Sequence, residues 1–270
     1  MTLPDFYSQR GLNVETYDVD RDMRGTPCEG DIDFYLEMAA ACAGPVLELA
    51  SGTGRVTFAL AEAGYDCTGL ELSDAMLARA REKLALAAAP VQTRLRLVYG
   101  DMTNFDLGQQ FHLVVIPFRA FQALLTPEAE RSCLESIRRH LAPDGRLVID
   151  IFDPCLNLVL PGRIARSEPL ARREVRHPRT GNVVRIDVLD RFNDTLNQVL
   201  EETWRFSEID PTGATIREET ESLRLRWLYR QEMRYLLELC GFEVEAEYSD
   251  FFRSPPAYGK EQVWVAHVPQ

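Results

Sequence analysis

Residues 46–55, Val46-Leu47-Glu48-Leu49-Ala50-Ser51-Gly52-Thr53-Gly54-Arg55, set an acidic side chain in a short apolar run and follow it with two glycines around one threonine. An apolar run of this length reads as a buried strand, and small residues in the turn after it let a ligand approach the backbone closely. Glu71 ends the next apolar run, 17 residues after Gly54. A carboxylate at the end of a neighbouring strand suits a ribose diol. Gly100-Asp101-Met102 follows the third run and adds another acid at the same edge. Three strand ends therefore converge on one crevice, with chemistry suited to a nucleoside-bearing cofactor.

The elements that hold these residues alternate from residue 45 onward, short apolar runs with helical patterns, the signature of a parallel sheet covered by helices. Strands are predicted at 45–50, 65–72, 95–99, 111–116 and 146–152. Helices are predicted at 55–63, at a Ser73-capped segment presenting Met76, Leu77, Ala80 and Leu84, and at a Thr126-capped segment with Pro127 in its first turn. After Asp153 the rhythm changes to period-2 alternation for about 70 residues. Three strands, at 183–192, 198–208 and 216–225, are predicted between turns rich in Gly, Asn, Asp and Thr. A helix near 229–240 and two strands, 242–248 and 262–268, then resume the first pattern. The division is an N-terminal helical segment (1–44), an α/β domain (45–154 and 226–270) and an inserted antiparallel sheet (155–225).

Glu71 alone would serve a nicotinamide dinucleotide equally well. The glycine spacing separates the two: a G-x-G-x-x-G fingerprint counted from Gly52 needs glycine at 57, where the chain has Thr57. A pyrophosphate also gains nothing from Glu48, whereas an acidic residue below the turn suits cationic sulfonium and ammonium groups. Residues 45–153 and 226–268 resemble the class I S-adenosylmethionine-dependent methyltransferases, whose first motif is an acidic residue followed by a G-x-G turn. The resemblance implies an α/β fold with a doubly wound, mostly parallel seven-stranded sheet, and S-adenosylmethionine as cofactor. It implies that Glu48 and the backbone at Ala50, Gly52 and Gly54, with Thr53 and Arg55 in the same turn, face the cofactor's amino acid end. Glu71 would take the ribose hydroxyls, Leu72 and Met76 would flank the adenine, Asp101 would accept from its amine and Met102 would pack on its ring. Pro117 would lie beside the transferable methyl, and Phe118, Arg119, Gln122 and Trp204 would face the acceptor. Ala50 departs from the family, which often has another glycine there. Tyr7 and Tyr17 would cover the cofactor from the N-terminal segment.

Methyl transfer is an in-line displacement, so alignment and water exclusion matter more than a fixed catalytic motif. No residue is uniquely placed as a base, and the catalytic residue is left unassigned. The Pro-Pro signature of base and glutamine amide methylation is absent, with Ile116-Pro117-Phe118-Arg119 in its place. That favours a small-molecule N or O acceptor and leaves a protein acceptor open. A methyltransferase-fold protein that binds without catalysing is the alternative from another class.

The histidines at 112, 140, 177 and 267 are scattered and lack an orienting partner in sequence, so all four read as non-catalytic. The six cysteines show no C-x-x-C, so neither a metal site nor a disulfide framework is expected. Reduced thiols, the absence of an apolar leader and the absence of any 18-residue uncharged run read as a cytoplasmic protein with no membrane span. A formal charge of -12 disfavours nucleic acid as partner. In the insert, eight Arg and four acids over 163–191 face seven acids and two Arg over 201–221, a pattern that cross-strand pairing explains. Its other face carries Leu200, Trp204 and Phe206, to pack on the host cleft or on a second subunit in a homodimer.

Overall fold

The computed structural model describes residues 3–19, 25–26, 28–155, 159–165 and 168–269. Strands β1 (Val46–Leu49), β2 (Cys67–Glu71), β3 (Leu95–Tyr99), β4 (Phe111–Ile116), β5 (Leu141–Phe152), β11 (Glu243–Tyr248) and β12 (Glu261–His267) form one sheet in the order β11-β12-β5-β4-β1-β2-β3. Pairing is parallel from β3 through to β5, and β12 runs antiparallel to β5 and β11. β1 is buried throughout because helices cover both faces, which is why its sequence is nearly continuous apolar. β2 lies on one side of β1 and β4 on the other, so the chain reverses its winding direction there. In open α/β sheets that switch point is where a crevice opens at the carboxyl ends.

One apolar cluster on a face of this sheet joins Leu47, Leu49, Ile116, Leu134 and Trp264; the other joins Tyr35, Val46, Val56, Val115 and Phe251. The covering helices are α2 (Asp31–Cys42), α3 (Arg55–Glu62), α4 (Asp74–Leu86), α5 (Ala89–Arg94), α6 (Pro127–His140) and α7 (Arg230–Leu239). α4 starts where Ser73 Oγ accepts from Met76 N–H, and α6 where Thr126 caps it beside Pro127. Arg138, Arg139 and His140 occupy the last turn of α6, where the dipole favours positive charge. Among the described residues no helix is long and apolar enough to cross a membrane.

The inserted sheet has five strands, where the sequence pattern suggests three. β8 (Val183–Asp194), β9 (Val199–Ile209) and β10 (Thr215–Arg226) form the expected meander, and β6 (Gly162–Ala165) and β7 (Ala171–Arg176) both pair with β8. β7 reads Ala-Arg-Arg-Glu-Val-Arg, with too few apolar residues to show a period of two. The apolar face is also covered differently from expectation. Val184, Ile186 and Phe206, with Trp204 at their edge, pack on Phe6, Leu12 and Val19 of the N-terminal segment, whose short helix α1 spans Leu12–Thr16. Leu200 belongs to a separate cluster with Phe152, Val159 and Trp227. Leu200 and Trp204 lie four steps apart along the strand, roughly 13 Å at 3.3 Å per residue, and a bulge between Val188 and Asp190 adds twist.

Charge is buried where the insert rejoins the host. Arg226, at the end of β10, donates to Glu130 of α6 at 2.7 Å and to Glu232 of α7 at 2.9 Å, with only 5% of its side chain exposed. Burial pushes the Glu130 carboxyl up to about 7 even beside this guanidinium. Burial also pushes Glu48 and Asp150, on β1 and β5, up to about 7.

Arg226→Met, which keeps the apolar stem but strands Glu130, should lower stability by about 3 to 5 kcal/mol at pH 8. The loss should shrink at pH 5.5, where Glu130 protonates; urea denaturation at the two values reads it. In the parent protein Glu130, Glu48 and Asp150 hold protons in the folded state that the unfolded chain releases near pH 4. Their stabilising protonation is complete below the unfolded values and is lost as pH rises through about 7. The melting temperature should therefore fall between pH 5.5 and pH 8, as calorimetry at constant ionic strength would record.

Candidate functional site

The turn after β1 runs through left-handed backbone at Ala50 (φ 54°), Gly52 (φ 59°) and Gly54 (φ 84°). A Cβ on Gly54 would sit 2.7 Å from the Phe58 ring. Ala50 adopts the same region with a side chain, at a cost of about 1–2 kcal/mol that glycine avoids. This conformation explains why glycine suits the position. The Ser51 hydroxyl below the turn is buried with no hydrogen-bond partner among the described residues.

Three acids stand at the strand ends. Glu71 is buried, and its Oε2 accepts from Gly52 N–H at 2.7 Å while Oε1 accepts from Ser73 N–H at 2.6 Å. Desolvation pushes its carboxyl up, and the backbone N–H groups oppose that shift. Glu48 lies deeper and accepts from the Thr57 hydroxyl. Asp101 is exposed, with Oδ1 accepting from Thr103 N–H and hydroxyl at 2.8 Å each. Leu72 is 55% exposed at the rim, Met76 is buried and Met102 is half-buried against the host core. The Met76 methyl lies 3.3 Å from where a Gly52 Cβ would be, so turn and helix meet closely.

At the end of β4, Pro117 is buried and the next two residues, Phe118 (φ 57°) and Arg119 (φ 64°), are both left-handed. Asp150 of β5 holds them. Its two oxygens accept from Phe118 N–H at 3.0 Å and Arg119 N–H at 3.2 Å, and the Tyr35 hydroxyl donates to it at 2.6 Å. The Arg119 guanidinium pairs with Glu261 and lies 5.5 Å over the Phe152 ring. Arg55 pairs with Asp31 and lies 5.8 Å over Phe118, joining the glycine turn to the β4 end. Gln122 is fully buried in a 3-10 turn (Ala120–Ala123), and its carbonyl accepts from Phe152 N–H at 3.0 Å. Its amide nitrogen has no partner among the described residues.

The sequence reading did not include Tyr35, Asp31, Asp150 or Glu261. Asp150 had a legible signal, one acid within the apolar run 147–152. Tyr35 and Glu261 reach this edge from α2 and β12, and only the tertiary fold brings them there.

The N-terminal segment lies over the glycine turn. Tyr7 and Tyr17 pack edge to face at 5.3 Å, and both adjoin a cluster of Val14, Ala75 and Met76. Thr53 donates to Asp18 at 2.7 Å, and Lys83 donates to the Thr53 carbonyl at 2.8 Å. Trp204 packs on Phe6 at 5.3 Å and donates through Nε1 to Glu202 at 2.9 Å, so it meets the N-terminal segment from the insert side. The histidines lie elsewhere: His112 is 3.7 Å from Asp144, and His140 accepts from Leu107 N–H at 3.1 Å. His177 does have a partner, Glu15 of α1 at 2.7 Å, across 162 residues. His267 is 3.9 Å from Glu243. Among the described residues no group of three or more His, Cys, Asp or Glu could hold a metal ion.

Residues 46–145 match a family described as a methyltransferase domain. A dTDP-3-amino-3,4,6-trideoxy-alpha-D-glucopyranose N,N-dimethyltransferase of Streptomyces venezuelae is 35% identical over 40% of this chain and 42% of its own length. The chain spans about half the length of the curated relatives it matches. Among solved structures, the CcbJ methyltransferase of Streptomyces caelestis superimposes with a TM-score of 0.76 at 25% identity, covering 98% of this chain and 99% of that one. CalS10 of Micromonospora echinaspora, an amino pentose methyltransferase solved with S-adenosylmethionine bound, gives 0.66 at 25% identity over 90% and 92% of the two chains. The sheet order, the matched domain and these likenesses agree: residues 46–145 are a methyltransferase domain, in a chain with the fold of the class I S-adenosylmethionine-dependent methyltransferases.

Proposed function

We propose that the protein transfers a methyl group from S-adenosylmethionine to an amine nitrogen of a small molecule. The observation that carries this reading is the convergence of Glu48, Glu71 and Asp101 at three adjacent strand ends around a left-handed glycine turn. The donor set fits the cofactor. Glu71 would accept from the ribose hydroxyls with the lone pairs its two backbone bonds leave free, and the unpartnered Ser51 hydroxyl lies beside the same turn. Ala50, Gly52, Thr53, Gly54 and Arg55, with Glu48 beneath, would hold the amino acid end. Leu72, Met76, Asp101 and Met102 would receive the adenine, and Tyr17 would cover it. Bound there, S-adenosylmethionine supplies an electrophilic methyl on a cationic sulfur.

On the acceptor side the reading assigns Pro117, Phe118, Arg119 and Gln122, with residues 155–225 as a cap, 1–44 as a cover and 45–154 with 226–270 as the cofactor domain. The Phe118 ring is 43% exposed, and the Gln122 amide nitrogen is a buried donor with no partner among the described residues. Trp204, packed on Phe6, would act at one remove. Choice of an amine rests on the chemistry named for the relatives, amino sugar and amino pentose methylation. An amine arriving deprotonated needs no dedicated base. The reading needs no second subunit, because the N-terminal segment already covers the apolar face of the insert. All six cysteines are free thiols, which supports the cytoplasm as the setting.

S-adenosylmethionine and S-adenosylhomocysteine, each at about 100 times its dissociation constant, should add roughly 2.7 kcal/mol of stability and raise the melting temperature by several degrees. NAD should not; a rise with NAD alone would overturn the reading. Glu71→Ala should weaken S-adenosylhomocysteine binding by about 10- to 150-fold in calorimetry. Because Glu71 also holds Gly52 and Ser73 N–H, the variant should lose about 1–3 kcal/mol of its own stability. Unchanged affinity in the folded variant would remove Glu71 from the ribose.

A further inference from the structure

Glu221, on β10 of the insert, is a buried carboxylate whose partners come from the N-terminal segment. Its Oε2 accepts from Asn13 Nδ2 at 2.7 Å and from Tyr7 N–H at 3.1 Å. Two residues along the strand, Glu219 accepts from Leu12 N–H at 2.6 Å. Both acids face the side of the sheet that carries Trp204 and Phe206, their partners in register on β9. Main-chain bonds reinforce the grip, since Phe6 N–H donates to the Ser222 carbonyl and Ser222 N–H to the Pro4 carbonyl.

Tyr7 is left-handed at φ 62°, a conformation that a tyrosine adopts only where its surroundings hold it. Two bonds of opposite direction do so. Its N–H points to Glu221 in the insert, and its carbonyl accepts from Ser73 Oγ in the host at 2.5 Å. Ser73 N–H in turn donates to Glu71 Oε1, and Glu71 Oε2 holds Gly52 N–H. The bonds thus form one chain from the insert to the glycine turn: Glu221 to Tyr7, Tyr7 to Ser73, Ser73 to Glu71, Glu71 to Gly52.

We infer that Glu221 is a positioning residue for cofactor binding, acting through Tyr7 and Ser73 on Glu71, so that the inserted sheet controls closure of the N-terminal segment over the cofactor. The inference rests on the reading of Glu71 as the ribose carboxylate. It differs from a simple division of labour in which the insert serves the acceptor and the first three strand ends serve the cofactor. A residue that touches neither ligand should then alter cofactor affinity.

The test is Glu221→Gln, nearly identical in shape but without the charge, with Glu219→Gln as a milder variant at a partly exposed site. S-adenosylhomocysteine is the probe, followed by calorimetry and stopped-flow displacement. For Glu221→Gln the dissociation constant should rise about five- to tenfold, mostly through faster dissociation; for Glu219→Gln it should rise about two- to threefold. Hydrogen exchange should show that the ligand protects the Tyr7 amide in the parent and less so in the variants. A lowered melting temperature with unchanged affinity and dissociation rate would make the contact merely structural and overturn the inference. Wild-type affinity in both variants would overturn it as well. A parent protein that binds neither S-adenosyl compound would instead overturn the cofactor reading beneath it.

Discussion

The structure turns on how a buried carboxylate with no cation beside it among the described residues is kept satisfied. Glu71 ends β2 and is held by two backbone N–H groups, one from the turn after β1 and one from the cap of α4. Those bonds fix the two loops that line the switch point of the sheet, and they require the left-handed path through Ala50, Gly52 and Gly54. A carboxylate bonded to N–H groups alone remains an acceptor on its other lone pairs. The geometry that makes the apo turn stable therefore leaves the group available to hydroxyl donors.

The N-terminal segment is a wedge with two working faces. Phe6 and Leu12 fill the apolar side of the inserted sheet, while Tyr7, Val14 and Tyr17 lie on Met76 and the start of α4. Neither face would fold alone: α1 has five residues, far below the length at which an isolated helix is stable. Its order comes from the two surfaces it joins. Glu15 adds an ionic anchor, pairing with the buried His177 and with Arg179 and Arg217, and those partners hold its carboxyl below the usual range despite partial burial. If one body contacts both sheets, ligand binding at either surface is coupled to the other by the same free energy in both directions.

The host domain was legible because its signals are local. Ser73 and Thr126 sit at the caps they announce, and the apolar runs became β1 to β5 because strands buried on both faces need no alternation. The positions of Glu71 and Asp101 at strand ends were legible for the same reason, since one closes an apolar run and the other follows one. What escaped depends on distance in sequence or on charge. β7 is mostly Arg and Glu and finds its partner in β8, while Asp150, Tyr35 and Glu261 meet only when three elements pack together. Leu200 and Trp204 share a strand face, yet a bulge and the strand's length deliver them to different clusters. His177 looked solitary because its partner lies on a helix too short to predict.

The charge of the whole and the chemistry of the edge point the same way. A chain at -12 concentrates acids at the carboxyl ends of its sheet: Glu48, Glu71, Asp101, Asp150 and Glu261. The guanidiniums nearest them are already committed, Arg55 to Asp31 and Arg119 to Glu261. With those cations neutralised by their partners, the field in the crevice is set by the remaining carboxylates. Burial complicates this, since Glu48 and Asp150 are pushed up to about 7 and are partly protonated near neutrality. A cation arriving beside them would favour their ionised forms, so binding a positive ligand and releasing a proton are linked. A sulfonium and an ammonium are such ligands, whereas a polyanion would meet repulsion at the rim and no unpaired guanidinium in this group. The electrostatics thus favour the cationic cofactor, on grounds independent of the glycine turn.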